Sequence, residues 1–87
     1  MYYVYVIIAT DKQLYIGYTK DLKRRLAEHN AGQSKFTKGK KWTLVYYEAY
    51  KSERDARDRE SKLKQRGQAV RFLKERIKNS ISEIVTS

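Results

Sequence analysis

The chain contains no cysteine in 87 residues and only one histidine, His29. No disulfide framework can brace it, no thiolate can hold a metal, and one imidazole cannot furnish a His/Cys zinc site. Long apolar runs are missing as well. The longest, Val4 to Ala9, is far too short for a bilayer, and no basic stretch with a cleavage site precedes it. Repeats, proline-rich linkers and low-complexity stretches are also absent. These absences predict a soluble, intracellular, cytoplasmic protein with one domain over 1–80. A tail over 81–87 either extends the last helix or frays. The chain is long enough for one core and little more, and eight tyrosines and a tryptophan supply its bulk.

Negative charge is scarce. Twenty lysines and arginines face ten carboxylates, and the formal net charge is +10. Both halves are basic, net +6 over 1–51 and net +5 over 52–78, with Glu83 alone in the tail. Aromatic and aliphatic residues are interleaved throughout, which excludes a disordered basic arm. A polyanionic partner is implied, nucleic acid ahead of an anionic membrane surface.

Tyr2 to Ala9 is rich in β-branched and aromatic residues and predicts a strand; Leu14 to Tyr18 predicts its hairpin partner after a polar turn. Thr19 is placed to cap a helix with Asp21 in its first turn, ending before Gly32. Ala31 to Lys41 has no periodicity and reads as a mobile loop. Trp42 to Tyr50 is apolar on both faces, which predicts a strand that is central or covered on both sides. Ser52-Glu53-Arg54-Asp55 has a capping-box pattern and opens a second helix. Gly67 interrupts it, and Gln68 to Lys78 predicts a third helix with Ala69, Val70, Leu73 and Ile77 inward.

Two constellations carry chemistry. Arg25 and His29 stand four residues apart on one helical face, beside Leu22 and Leu26, just after the strand–glycine corner Tyr15-Ile16-Gly17. A guanidinium and an imidazole in that position point to phosphate. Further on, Ala56, Leu63 and Gly67 mark the inward side of the second helix, and Glu60 lies in the middle of that arc. An inward carboxylate needs a partner, either an arginine in an ion pair or a cation. Magnesium needs only one or two protein carboxylates and fills its shell with water and phosphate oxygens.

The order Tyr3-Val4-Tyr5, Tyr15-Ile16-Gly17, Arg25, His29 and Glu60 resembles the GIY-YIG nuclease family over roughly Met1 to Lys78. Trp42 to Glu48 and Arg59 to Lys64 resemble its short stand-alone bacterial members. Tyr3 replaces the first glycine of the family name, and the asparagine that some members carry after the glutamate has no clear counterpart. The resemblance implies an α/β chain of α+β type, with a small three-stranded antiparallel sheet flanked by helices. It further implies a magnesium- or manganese-dependent endonuclease that hydrolyses DNA with low sequence specificity, in repair or turnover, without a small-molecule cofactor. Within it Tyr15 would orient and deprotonate water and Tyr5 would hydrogen-bond in the same site. His29 would relay the proton, Arg25 would neutralise the scissile phosphate, and Glu60 would hold the metal.

Tyr5 and Tyr15 can share a sheet face only if paired residue numbers sum to an even value. Backbone phosphates are expected at Lys23, Arg24, Lys35, Lys38, Lys40 and Lys41. Phe36 either stacks on an exposed base or anchors its loop. The competing reading is a DNA- or RNA-binding module on the same fold without catalysis.

Overall fold

The unbroken apolar run Val4–Ala9 leaves no polar side to face water, and in the computed structural model it forms the middle of the sheet. The structure describes residues 1–65 and 67–86, so the last residue of the expected tail, Ser87, lies outside the described residues. Strands β1 (Tyr2–Ala9), β2 (Leu14–Thr19) and β3 (Trp42–Tyr50) pair antiparallel in the order β2-β1-β3. Helix α1 (Leu22–Asn30) follows β2, and α2 (Glu53–Lys64), α3 (Gln68–Arg76) and α4 (Lys78–Thr86) follow β3.

β1 alternates between two cores. Tyr5, Ile7 and Ala9 pack with Trp42, Tyr15, Leu44 and the α1 leucines Leu22 and Leu26. Val4 and Val6 pack with Ala56, Leu63, Leu73 and Ile77 of the C-terminal helical segment, with Leu14 and Ile16 partly buried against them. Helices therefore cover both faces of the sheet, and each fully buried β1 aliphatic contributes about 1.5–3 kcal/mol.

Of the two positions expected for the third strand, the central one belongs to β1; β3 lies at an edge but is covered on both sides, by α1 on one face and by α2 and α4 on the other. A register shift explains its two-sided apolar pattern. β3 pairs as Val6↔Tyr46 and then Ile7↔Leu44, so Val45 is the extra residue of a bulge and the side-chain alternation resets there. Trp42 and Leu44 join the α1 side while Val45 and Tyr46 both join the other.

The first helix is capped by Asp21 instead of Thr19. Thr19 still pairs with Tyr3 in the sheet, and its hydroxyl is engaged with the Asp21 backbone, 3.1 Å from N and 3.2 Å from O. The Asp21 carboxylate then accepts from the Arg24 amide at 3.1 Å. Ser52 occupies the cap position of α2 without a side-chain cap bond. The third helix stops at Arg76, earlier than Lys78; Ile77 turns the chain into α4, whose Ile81 packs on the second core.

Glu48 ties β3 to α2. Arg59 grips it with two parallel bonds, Nε to Oε1 and Nη2 to Oε2, both 3.0 Å, and the Tyr46 and Tyr50 hydroxyls donate to it as well. Burial alone would raise the Glu48 carboxyl, but Arg59 and the two phenols override it and hold it below the ordinary 4.5. Burial and the bond to Glu48 push Tyr50 up to about 12. Glu48→Gln leaves Arg59 without a counter-charge and should cost about 2 kcal/mol, roughly 10 °C in a domain of this size. Because the native carboxyl is held low, that difference should be constant above pH 5 and shrink as pH falls below about 4.5. Paired thermal melts across pH measure it.

Candidate active site

Tyr5 owes its position to a missing side chain. It pairs with Gly17 across the β1–β2 ladder, and a methyl group on Gly17 would overlap the Tyr5 hydroxyl and ring. The glycine is needed here for space: the phenol crosses its neighbour strand where any side chain would stand. The same ladder pairs Ile7 with Tyr15. Paired numbers sum to an even value, so Tyr5 and Tyr15 share the face covered by α1, and both belong to its apolar cluster.

His29, fully buried on α1, meets Tyr5 from above. Its Nε2 lies 2.7 Å from the Tyr5 hydroxyl and its Nδ1 lies 2.7 Å from Oγ1 of Thr37. Both ring nitrogens are thus engaged. Tyr15, expected to hand its proton to His29, packs edge-on against the imidazole with ring centroids 5.1 Å apart, so the hydrogen-bonded phenol is Tyr5.

Burial, reinforced by the nearby Arg25 charge and only partly offset by Glu28, lowers His29 below its ordinary 6.5 and keeps it neutral. Burial pushes Tyr5 up to about 12, although the adjacent Arg25 guanidinium pulls the other way. In the tautomer that carries its proton on Nδ1, the Tyr5 hydroxyl donates to Nε2 and the Nδ1–H donates to Oγ1 of Thr37.

Arg25 is steadied by Glu28, with Nη1 to Oε1 at 2.9 Å. Glu60 reaches the cluster from α2. Its side chain is 23% exposed and its partner is Lys64 at 3.3 Å, where an arginine was the expected alternative. The adjacent Arg59 is engaged by Glu48. Lys64 in turn lies 5.4 Å from the Tyr15 ring centre, and the Glu60 and Tyr15 charges both raise Tyr5. Tyr5, Tyr15, Arg25 and His29 thus gather on the α1 side of the sheet, and Glu60 of α2 connects to them through Lys64, which lies over the Tyr15 ring.

Sequence reasoning missed Thr37 and the clamp behind it. The 31–41 loop, expected to be mobile, is tethered. The Trp42 indole donates to the Thr37 carbonyl at 2.8 Å. The Thr37 amide reaches Ser34 O at 3.2 Å, and Asn30 brackets the Trp42 backbone at 3.0 and 2.6 Å. A threonine among lysines carries no periodic signal; only the tertiary position of His29 makes it a partner.

Of the basic residues expected at phosphates, Lys38, Lys40 and Lys41 line one open groove with Asn30, Gly32 and Gly39. Lys40 is already paired with Asp11 at 2.8 Å. Lys23, Arg24 and Lys35 are exposed, with Arg24 3.7 Å from Glu28. Among the described residues no three His, Asp or Glu side chains gather as a metal cage. A lone half-buried carboxylate fits a magnesium-type ion, which keeps most of its water, better than a dehydrated one.

The fold and site define a small α+β domain built around a phenol–imidazole–guanidinium cluster. The chain belongs to the GIY-YIG family: the GIY-YIG catalytic domain matches residues 1–77, and that domain implies a nuclease family. It is 45% identical over 71 residues to a UPF0213 protein of Halobacterium salinarum, covering 79% of this chain and 92% of that one. A UPF0213 protein of Streptococcus pyogenes is 47% identical over 71 residues, covering 74% and 72%. The solution NMR structure of a UPF0213 protein from Bacillus halodurans matches with a TM-score of 0.52 at 32% identity, covering 84% of this chain and 81% of that one. Among the described residues no helix is long and apolar enough to cross a membrane.

Gly17→Ala should displace Tyr5 and cost about 1–3 kcal/mol by overpacking, read by denaturant unfolding together with loss of the Tyr5–His29 contact in NMR spectra. The single imidazole makes a second test clean. His29 should titrate below 6.5 by NMR, and stability should be flat above about pH 6.5 and fall below it, because there the unfolded chain binds the proton more readily. Thr37→Val should remove the partner of Nδ1 and cost about 1–3 kcal/mol through an unpaired ring nitrogen.

Proposed function

We propose that this protein is a metal-dependent endonuclease that hydrolyses DNA phosphodiester bonds with low intrinsic sequence specificity, working in the cytoplasm in DNA repair or turnover. The observation that carries this reading is the hydrogen-bonded Tyr5–His29 pair with Arg25, Tyr15 and Glu60 coupled to it.

Tyr15, the more exposed of the two phenols, orients the attacking water. As the water oxygen bonds to phosphorus and the scissile P–O bond breaks, the water proton passes to the Tyr5 oxygen, the Tyr5 proton passes to Nε2 of His29, and the leaving oxygen takes a proton from solvent. The resulting imidazolium is stabilised by its Nδ1–H bond to Thr37. A phenol held near 12 is a poor base alone, and a neutral imidazole 2.7 Å away removes that obstacle. Arg25 offers its planar fork to charge building on the phosphate oxygens. Glu60, released from Lys64, would hold magnesium or manganese, and the ion would supply Lewis-acid polarisation of the phosphate and stabilise the leaving oxygen. The basic surface, Lys23, Arg24, Lys35, Lys38 and Lys41 above all, holds the backbone without reading sequence.

The test is incubation of pure protein with single-stranded, duplex, flapped and branched DNA, with and without magnesium. Cleavage should require the metal, and Glu60→Ala and Arg25→Ala should each lower its rate by about 10²-fold or more while binding changes little. Intact substrates under every condition would leave a non-catalytic DNA- or RNA-binding module.

A further inference from the structure

We propose that Phe36 is a stacking platform for an unpaired base, and that it directs the site toward nucleic acids with a single-stranded nucleotide beside the scissile phosphate. The proposal rests on the nuclease reading for the cleavage step, and on independent observations for the binding itself. Phe36 is 77% exposed, the most exposed of the large apolar side chains, so it does not anchor the loop. Its neighbours do. Ser34 and Thr37 are buried, the Thr37 amide bonds Ser34 O at 3.2 Å, and the Thr37 carbonyl takes the Trp42 indole at 2.8 Å. An exposed phenyl is thereby mounted on fixed backbone.

The mounting is next to the chemistry. Thr37 holds Nδ1 of His29, and adjacent Cα atoms are about 3.8 Å apart, so the phenyl springs from a point one residue from the relay. Charge says what covers it. Lys35 and Lys38 flank the ring in sequence and are exposed, and Lys38 and Lys41 line the groove at the end of α1, in a chain of net charge +10. Phe72 differs: it lies on α3, in the opposite layer, with the Arg71 guanidinium 5.5 Å from its ring centre.

A polyanion drawn to those lysines can use the phenyl only through a free base face. In duplex DNA each face is covered by the next pair, whereas flaps, single strands and branch points expose one. Lysines on phosphate supply affinity for any backbone; the phenyl supplies the preference for unpaired structure.

The experiment measures binding without metal, where cleavage cannot intervene, for a labelled single strand, a flapped duplex and a blunt duplex at fixed salt. Phe36→Ala removes no core contact and should melt like wild type. It should weaken flap and single-strand binding about tenfold, the order expected for one lost base stack, while duplex binding stays within about twofold and the salt slope is unchanged. Phe36→Trp should restore binding, and its indole emission should be quenched by the flap but not by the duplex; Trp42, buried, gives a constant background. Equal weakening on all three substrates, or none on any, overturns the platform. A wild-type protein showing the expected pattern yet cleaving nothing supports the platform and removes the nuclease reading. Cleavage with flap binding untouched by Phe36→Ala overturns the platform and leaves the nuclease.

Discussion

Much of this structure depends on one hydrogen bond, between the Tyr5 hydroxyl and Nε2 of His29. It joins the central strand to the first helix at a point where both groups are buried, and a buried polar pair must be fully satisfied to be tolerated. That requirement propagates. Gly17 must lack a side chain so that the phenol can cross it, and Thr37 must occupy the far side of the imidazole. Trp42 and Asn30 must then hold the loop that carries Thr37. No buried side-chain nitrogen or oxygen among the described residues is left without a partner.

The same bond sets the electrostatics of the site. Burial forces Tyr5 to remain a phenol and His29 to remain neutral, while Arg25 beside them counters the first shift and adds to the second. A protonated phenol thus faces a neutral imidazole. Glu48 and Arg59 perform a quieter task, fixing the helix from which Glu60 projects, while Glu60 itself pairs with Lys64.

Much of this was legible in the sequence because it is periodic. The 3.6-residue stripe placed Arg25 with His29 and turned Glu60 inward, and the period-2 rule reduced the Tyr5–Tyr15 question to one parity that the ladder satisfies. What escaped was aperiodic or topological. β3 read as central or covered on both sides; the cover is there, but the strand lies at an edge, and a bulge at Val45 superimposes two alternations that pattern alone cannot separate from a central position. Thr19 has the chemistry of a cap, but the sheet retains it, one residue beyond the expected strand end, and Asp21, two residues on, takes the position. Thr37 could not be found at all, since its role exists only through a contact eight residues away with a side chain that is itself defined by Tyr5.

If Tyr5 and His29 move one proton together, they form one catalytic unit, and single-turnover cleavage by Tyr5→Phe, His29→Gln and the double variant measures this directly. Each single change should then slow the reaction by a similar large factor, and the double variant should be no slower than either. Factors that multiply in the double variant, or a Tyr5→Phe protein that cleaves at the wild-type rate, would contradict it.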